Sequence, residues 1–269
     1  MTQEEALAIL KTGANVFLTG EPGSGKTYTV NQYTQYLRGQ EIDPSITAST
    51  GIAATHIGGM TIHSWSGIGI KSFLSRYDLD KISSSEYIVK RLNRARVLII
   101  DEVSMLPPGT LTMVDAVCRE IRQSGEAFGG LQVVLVGDFF QLPPIQRHTE
   151  SASAQISLID QPIERFAYDS PAWKKAKFMT CYLTEQYRQD DKEFFALLTA
   201  IRENNFGADH LCQIESRKVE HEKVAGKTPK IYTHNANVDI ENEEMLSKIK
   251  GKTKQYEMTH RGSKALVES

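Results

Sequence analysis

The sequence predicts an α/β protein built on a parallel β-sheet with flanking helices. Short apolar runs alternate with amphipathic stretches through the first two-thirds of the chain, the pattern of βαβ units. A glycine-rich segment, "GEPGSGKT" (20–27), joins the first apolar run to the first amphipathic stretch. Two later apolar runs stop abruptly at acids, "RVLIID" before Glu102 and "LQVVLVG" before Asp138. In a parallel sheet ligands lie beyond the C-terminal strand ends, so all three segments point to one site.

In order, "NVFLTG" (15–20) reads as a buried strand and "KTYTVNQYTQYLRG" (26–39) as a helix with a glycine at its end. "SITAST" (45–50) and "RVLIID" (96–101) are the second and third strands. "GTLTMVDAVCREIRQ" (109–123) spaces its apolar residues as an amphipathic helix, and "LQVVLVG" (131–137) is a fourth strand. Residues 146–165 are polar and aperiodic, a surface loop. "DKEFFALLTAIRENN" (191–205) is a helix, "KIYTHN" (230–235) a strand and "ANVDIENEEMLSKIKG" (236–251) a helix. A first domain over 1–182 and the beginning of a second α/β unit over 183–269 are expected.

Composition sets outer bounds. With 269 residues, 40% hydrophobic and 24% charged, the chain can bury a real core. A net charge of −2 gives no global basic signature, so any nucleic acid would need a locally positive groove. Cys118, Cys181 and Cys212 are odd in number and lack CxxC spacing, which argues against a disulfide framework or a zinc site. "MTQEEALAIL" lacks the basic region of a signal peptide, and no run reaches the length of a membrane span; a soluble, cytoplasmic protein is expected.

The chemistry begins with "GEPGSGKT", which matches G-x-x-x-x-G-K-[ST] between a strand and a helix. Its glycines, including Gly23 and Gly25, let backbone N–H groups turn inward around Ser24 as an anion nest. Lys26 supplies a point charge for the β- and γ-phosphates, and Thr27 offers a hydroxyl to Mg²⁺. This makes the chain a P-loop nucleotide binder. "VLIIDEVS" (97–104) ends in paired carboxylates: Asp101 suits the metal shell and Glu102 the attacking water. That pair favours hydrolysis over a small-molecule kinase, and no arginine-rich lid follows the third or fourth strand.

"GDFFQLPP" (137–144) then emerges beside the γ-phosphate. Gln141 can donate to a phosphate oxygen and accept from water, so it can tell ATP from ADP, while two prolines stiffen the segment. Phe139 and Phe140 suit either the core or a stacking platform for a base. "ASTGIAA" (48–54) and "TIHSWSG" (61–67) combine small hydroxylated residues, a glycine, His63 and Trp65 at strand ends, where a phosphodiester could approach closely. Arg188, in "LTEQYRQ" (183–189), could stabilise charge on the transferring phosphoryl group from across a cleft. Gln3, upstream of the first strand, carries an amide able to read an adenine edge.

Together these segments resemble the Pif-one family of superfamily-one DNA helicases, relatives of RecD, from about Gln3 to about Lys250. "GEPGSGKT", "ASTGIAA" with "GGMTIHSWSGIG", "LIIDEVSML" and "VLVGDFFQLPP" look like its motifs I, Ia, II and III. "DAVCREIRQSGEAFGGLQ" (115–132) is similar to the stretch that marks the family, and "FAYDSPAW", "LTEQYRQ" and "IYTHNANVD" follow in order. The resemblance implies a RecA-like sheet, the start of a second RecA-like domain, and an ATPase coupled to 5′-to-3′ translocation on single-stranded, forked or structured DNA by a monomer. By position, Arg188 would be an arginine finger and Gln3 the adenine reader. Thr50, Gly51, His63 and Phe140 would line the DNA path of the first domain, and Thr233 and Asn235 that of the second. The family's later motifs, including a second arginine for ATP and an SH3-like DNA grip, would follow residue 269. The alternative is a P-loop ATPase that is a switch or assembly factor and not a motor, whose rate would ignore DNA.

Overall fold

The four apolar runs from the first half of the chain lie side by side. The computed structural model describes residues 1–144, 165–185, 191–218, 229–251 and 254, except the side chain of Lys192. In chain order its elements are α1 (Gln3–Lys11), β1 (Val16–Gly20), α2 (Lys26–Gly39), β2 (Ser45–Ala48), α3 (Gly51–His56), β3 (Met60–Thr61), α4 (Ile62–Ser66), α5 (Arg76–Ser83) and α6 (Glu86–Arg94). There follow β4 (Val97–Asp101), α7 (Pro108–Arg122), β5 (Gln132–Val136), α8 (Pro171–Ala176), β6 (Met179–Leu183) and α9 (Lys192–Arg202). Residues Met1–Phe206 form one compact unit and Gly207–Ser269 a second, which contains α10 (Ala208–Ser216) and α11 (Asn235–Ser247).

All six strands pair in parallel, in the order β3-β2-β4-β5-β1-β6. Strand alternation splits the sheet into two cores. Phe17, Leu98, Ile100, Val133 and Leu135 point to one face, beneath α7 and the short helices α4, α5, α6 and α8. Val16, Leu18, Val97, Ile99, Val134 and Val136 point to the other, beneath α1 and α2. Burial on both faces is why these strands read as continuous apolar runs. The register places Leu18 opposite Val136 and Ile100 opposite Leu135, so β5 ends between β1 and β4.

Local chemistry fixes the helices. Thr2 and Glu5 form a reciprocal capping box that starts α1. Helix α7 begins with Pro108 in its first turn and stops where Gln123 adopts a left-handed conformation. From α7 itself, Arg122 donates to the carbonyls of Gly129 (2.7 Å), Leu92 and Ala95 (both 3.1 Å), while Asp115 accepts from the Phe128 N–H at 2.6 Å. These bonds pin the 115–132 stretch against α6 and bring Phe128 into the core.

The expected strand at 230–235 is not formed: α11 starts at Asn235, and Ile231 is 99% exposed. Tyr232 instead donates to Glu241 on α11 at 3.0 Å, and Lys230 pairs with the same carboxylate. The surface loop expected at 146–165 falls, apart from Arg165, outside the described residues. Among the described residues no helix is long and apolar enough to cross a membrane.

Candidate active site

The phosphate loop is shaped by its neighbours as much as by its glycines. Gly20 has φ +148, and a Cβ there would meet the Leu183 carbonyl oxygen of β6 at 2.7 Å. Gly25 has φ +85, and a Cβ there would collide with the Gln3 amide. That amide donates to the Ser24 carbonyl at 3.2 Å, so α1 holds the loop from outside. No side chain caps the N-terminus of α2, which leaves its first N–H groups and its dipole directed at the loop's concavity. Lys26 Nζ donates to the carbonyls of Gly20 (2.8 Å) and Glu21 (3.1 Å). Burial lowers the Lys26 pKa, and the nearby carboxylates of Asp138, Glu102 and Asp101 oppose that shift.

At the end of β4, Asp101 Oδ1 accepts from the Glu102 N–H at 2.9 Å. Glu102 itself sits in the left-handed region (φ 52, ψ 45), a conformation that costs a non-glycine residue about 1–3 kcal/mol. The twist breaks the strand's alternation, so both acids line one cavity of about 540 Å³ with Thr27, Thr50 and Gln141. Ser49 braces it by donating to the Glu102 carbonyl at 2.8 Å. Burial is the main cause that raises the pKa of each acid, and Lys26 partly counters it.

The segment after β5 completes the arrangement. Gln141 shares a cavity of about 530 Å³ with Gly23, Gly25, Lys26, Thr27 and Glu102. A third cavity, about 480 Å³, is lined by Gln3 of α1 and by Tyr28 and Gln32 of α2. Gln3, Gly23, Ser24, Gly25, Lys26, Thr27, Asp101, Glu102 and Gln141 are therefore brought together. Arg188 lies outside the described residues, and Thr233 and Asn235 are exposed on the second unit.

Phe139 and Phe140 take opposite fates. Phe139 packs among Phe17, Phe166, Tyr168 and Trp173, at ring separations of 4.8–6.0 Å. Phe140 is 69% exposed. Thr50 accepts from the Ala53 N–H at 3.3 Å as the cap of α3, and the position of a Gly51 Cβ faces open space. His63 is half-buried, which lowers its pKa, while Trp65 is core. Sequence reasoning singled out the acid at Asp138 but not its partner, and it missed Tyr28, Tyr182 and above all Arg202. Arg202 pairs with Asp138 across 64 positions, and only the folded chain reveals that pairing.

A family model described as PIF1-like helicase matches residues 3–223. The chain belongs to the PIF1-like helicase family. The ATP-dependent DNA helicase Pif1 of Psychrobacter sp. (strain PRwf-1) is 44% identical over 277 residues, covering 100% of this chain and 40% of that relative. The crystal structure of Pif1 helicase from Candida albicans superposes with a TM-score of 0.77 at 32% identity, over 93% of this chain and 54% of that one. Pif1 helicase from Bacteroides in complex with ADP-AlF3 and ssDNA gives 0.74 at 32%, over 93% of this chain and 57% of that one. The fold is thus the RecA-like P-loop fold of the PIF1-like helicases, and the chain spans about half the length or less of these relatives.

Proposed function

We propose that this chain carries the ATPase core of a 5′-to-3′ DNA helicase, in which ATP hydrolysis drives movement along single-stranded DNA and opening of forked duplexes. The observation that carries the reading is the meeting of Lys26, Asp101, Glu102 and Gln141 around adjoining cavities at three neighbouring strand ends. Lys26 would bind the β- and γ-phosphates, and Gln3 the adenine edge above the loop. Glu102, held above the ordinary carboxylate range, would take a proton from the attacking water. Gln141 would sense the γ-phosphate, and Arg188 would serve as arginine finger.

The oxygen donors of Thr27 and Asp101 line one cavity and suit Mg²⁺, which is held by one or two carboxylates together with substrate phosphates. Bound there, the ion would neutralise charge on the phosphates. Thr50, Gly51, His63 and Phe140 would contact DNA from the first unit, and Thr233 and Asn235 from the second. The decisive experiment is the steady-state ATPase rate of this chain with and without a single-stranded oligonucleotide. Strong stimulation is expected. A rate indifferent to DNA would replace the motor with a non-motor ATPase, and failure to bind ATP would remove both.

A further inference from the structure

The segment after β5 is held from a direction its own sequence does not reveal. Asp138 is 1% exposed, and its carboxylate gathers three donors. The Phe140 N–H reaches Oδ1 at 3.1 Å, and the Gln141 amide reaches Oδ2 at 3.3 Å. Arg202 Nη1, from the last turn of α9, reaches the same Oδ2 at 2.7 Å. The guanidinium also lies 4.2 Å from the centroid of the Phe140 ring and 5.9 Å from that of Tyr182. Its side chain is only 12% exposed. Burial works against its charge, but Asp138 and Tyr182 outweigh burial and raise the Arg202 pKa. One cation therefore fixes the acid that orients Gln141 and covers one face of the ring beside it.

We propose that Arg202 is a positioning residue that locks Asp138, Phe140 and Gln141 into one unit. Contact of Gln141 with a terminal phosphate is thereby passed to the exposed aromatic. The inference rests on the nucleotide reading above. Without the guanidinium, the buried Asp138 carboxylate would keep only two neutral hydrogen-bond donors and the nearby charge of Lys26, and the segment would rearrange to hydrate it. Lysine could restore the charge but not the planar stack on Phe140.

The test measures, on the whole chain, the affinities of a fluorescent non-hydrolysable ATP analogue and of the matching ADP analogue. Oligonucleotide affinity is measured in parallel with each analogue bound. Arg202→Ala is expected to cut the preference for the triphosphate about tenfold while diphosphate affinity moves less than about twofold. Arg202→Lys should recover most of the triphosphate preference but not the dependence of oligonucleotide affinity on nucleotide. An undiminished preference in folded Arg202→Ala would overturn the proposal, and so would an equal loss for both nucleotides, the mark of a merely structural role. Should Arg202→Ala fail to fold, the nearly isosteric Asp138→Asn decides: a retained preference overturns the proposal and a lost one supports it. If the unaltered chain bound the ADP analogue without preferring the triphosphate, this inference alone would fall. If it bound neither analogue, the nucleotide reading would fall with it.

Discussion

Lys26 and Glu102 line the same cavity, yet their removal should separate two steps. Lys26→Ala deletes the only cation seen on the phosphate loop among the described residues, leaving the dipole of α2 alone, and should abolish measurable ATP binding. Glu102→Gln keeps the shape and should bind ATP normally, with kcat lowered about 10²–10⁴-fold. Equilibrium binding and single-turnover hydrolysis distinguish these outcomes; normal turnover in Glu102→Gln would remove it as the base. The two phenylalanines make a second contrast. Phe139→Ala empties a five-ring cluster and should destabilise the fold by about 3 kcal/mol in urea unfolding. Phe140→Ala should leave stability nearly unchanged and weaken binding of a single-stranded oligonucleotide by about 1–3 kcal/mol. The phosphate loop and the paired acids were legible in the sequence because their chemistry demands fixed residue types at fixed short spacings. The choice between the two rings was not, since adjacent aromatics at a strand end face opposite ways and nothing local says which way is out.

Among the elements, several with strong local signals were read correctly. Helix α2 was expected at 26–39 and forms there, preceded by the glycine loop and followed by Gln40 as its C-cap. The edge strand β6 escaped notice: "MTCYL" buries only Cys181 and Leu183, too few for an apolar run. Helix α1 escaped too, although its capping box was present in the sequence at Thr2 and Glu5. Helix α5 shows how firmly an exposed cap can be set. Asp78 accepts from Ser75 Oγ (2.7 Å) and the Ser75 N–H (3.0 Å), and Lys71 stands 2.9 Å away. The Ser75 and Lys71 bonds hold the Asp78 pKa at about 2, below its usual 3.8. A carboxylate with a depressed folded pKa stabilises above its unfolded value and loses that contribution as pH falls through the folded one. Thermal midpoints should therefore decline between pH 3.8 and about 2. Asp78→Asn should be less stable at neutral pH and show a shallower decline over that window. Parallel curves for the two proteins would exclude the cap as the cause.

For the whole molecule, the order of strands decides what can move. Strand β5 is hydrogen-bonded to β1 on one side and to β4 on the other. Neighbouring strands keep a spacing of about 4.8 Å that ladder bonds defend. The loop that cradles phosphate and the acids at the end of β4 are thus bolted to a single stiff plate, two strand widths apart. Binding energy cannot be stored by drawing them together without breaking the ladder. It has to be taken up by parts hinged on that plate. Of those described, the segment from Asp138 to Pro144 is attached to it directly and is clamped from outside by α9. In mechanical terms the sheet is the anvil and that strip is the spring. Heating, applied load or a substitution should deform the strip well before the spacing of the site itself begins to change.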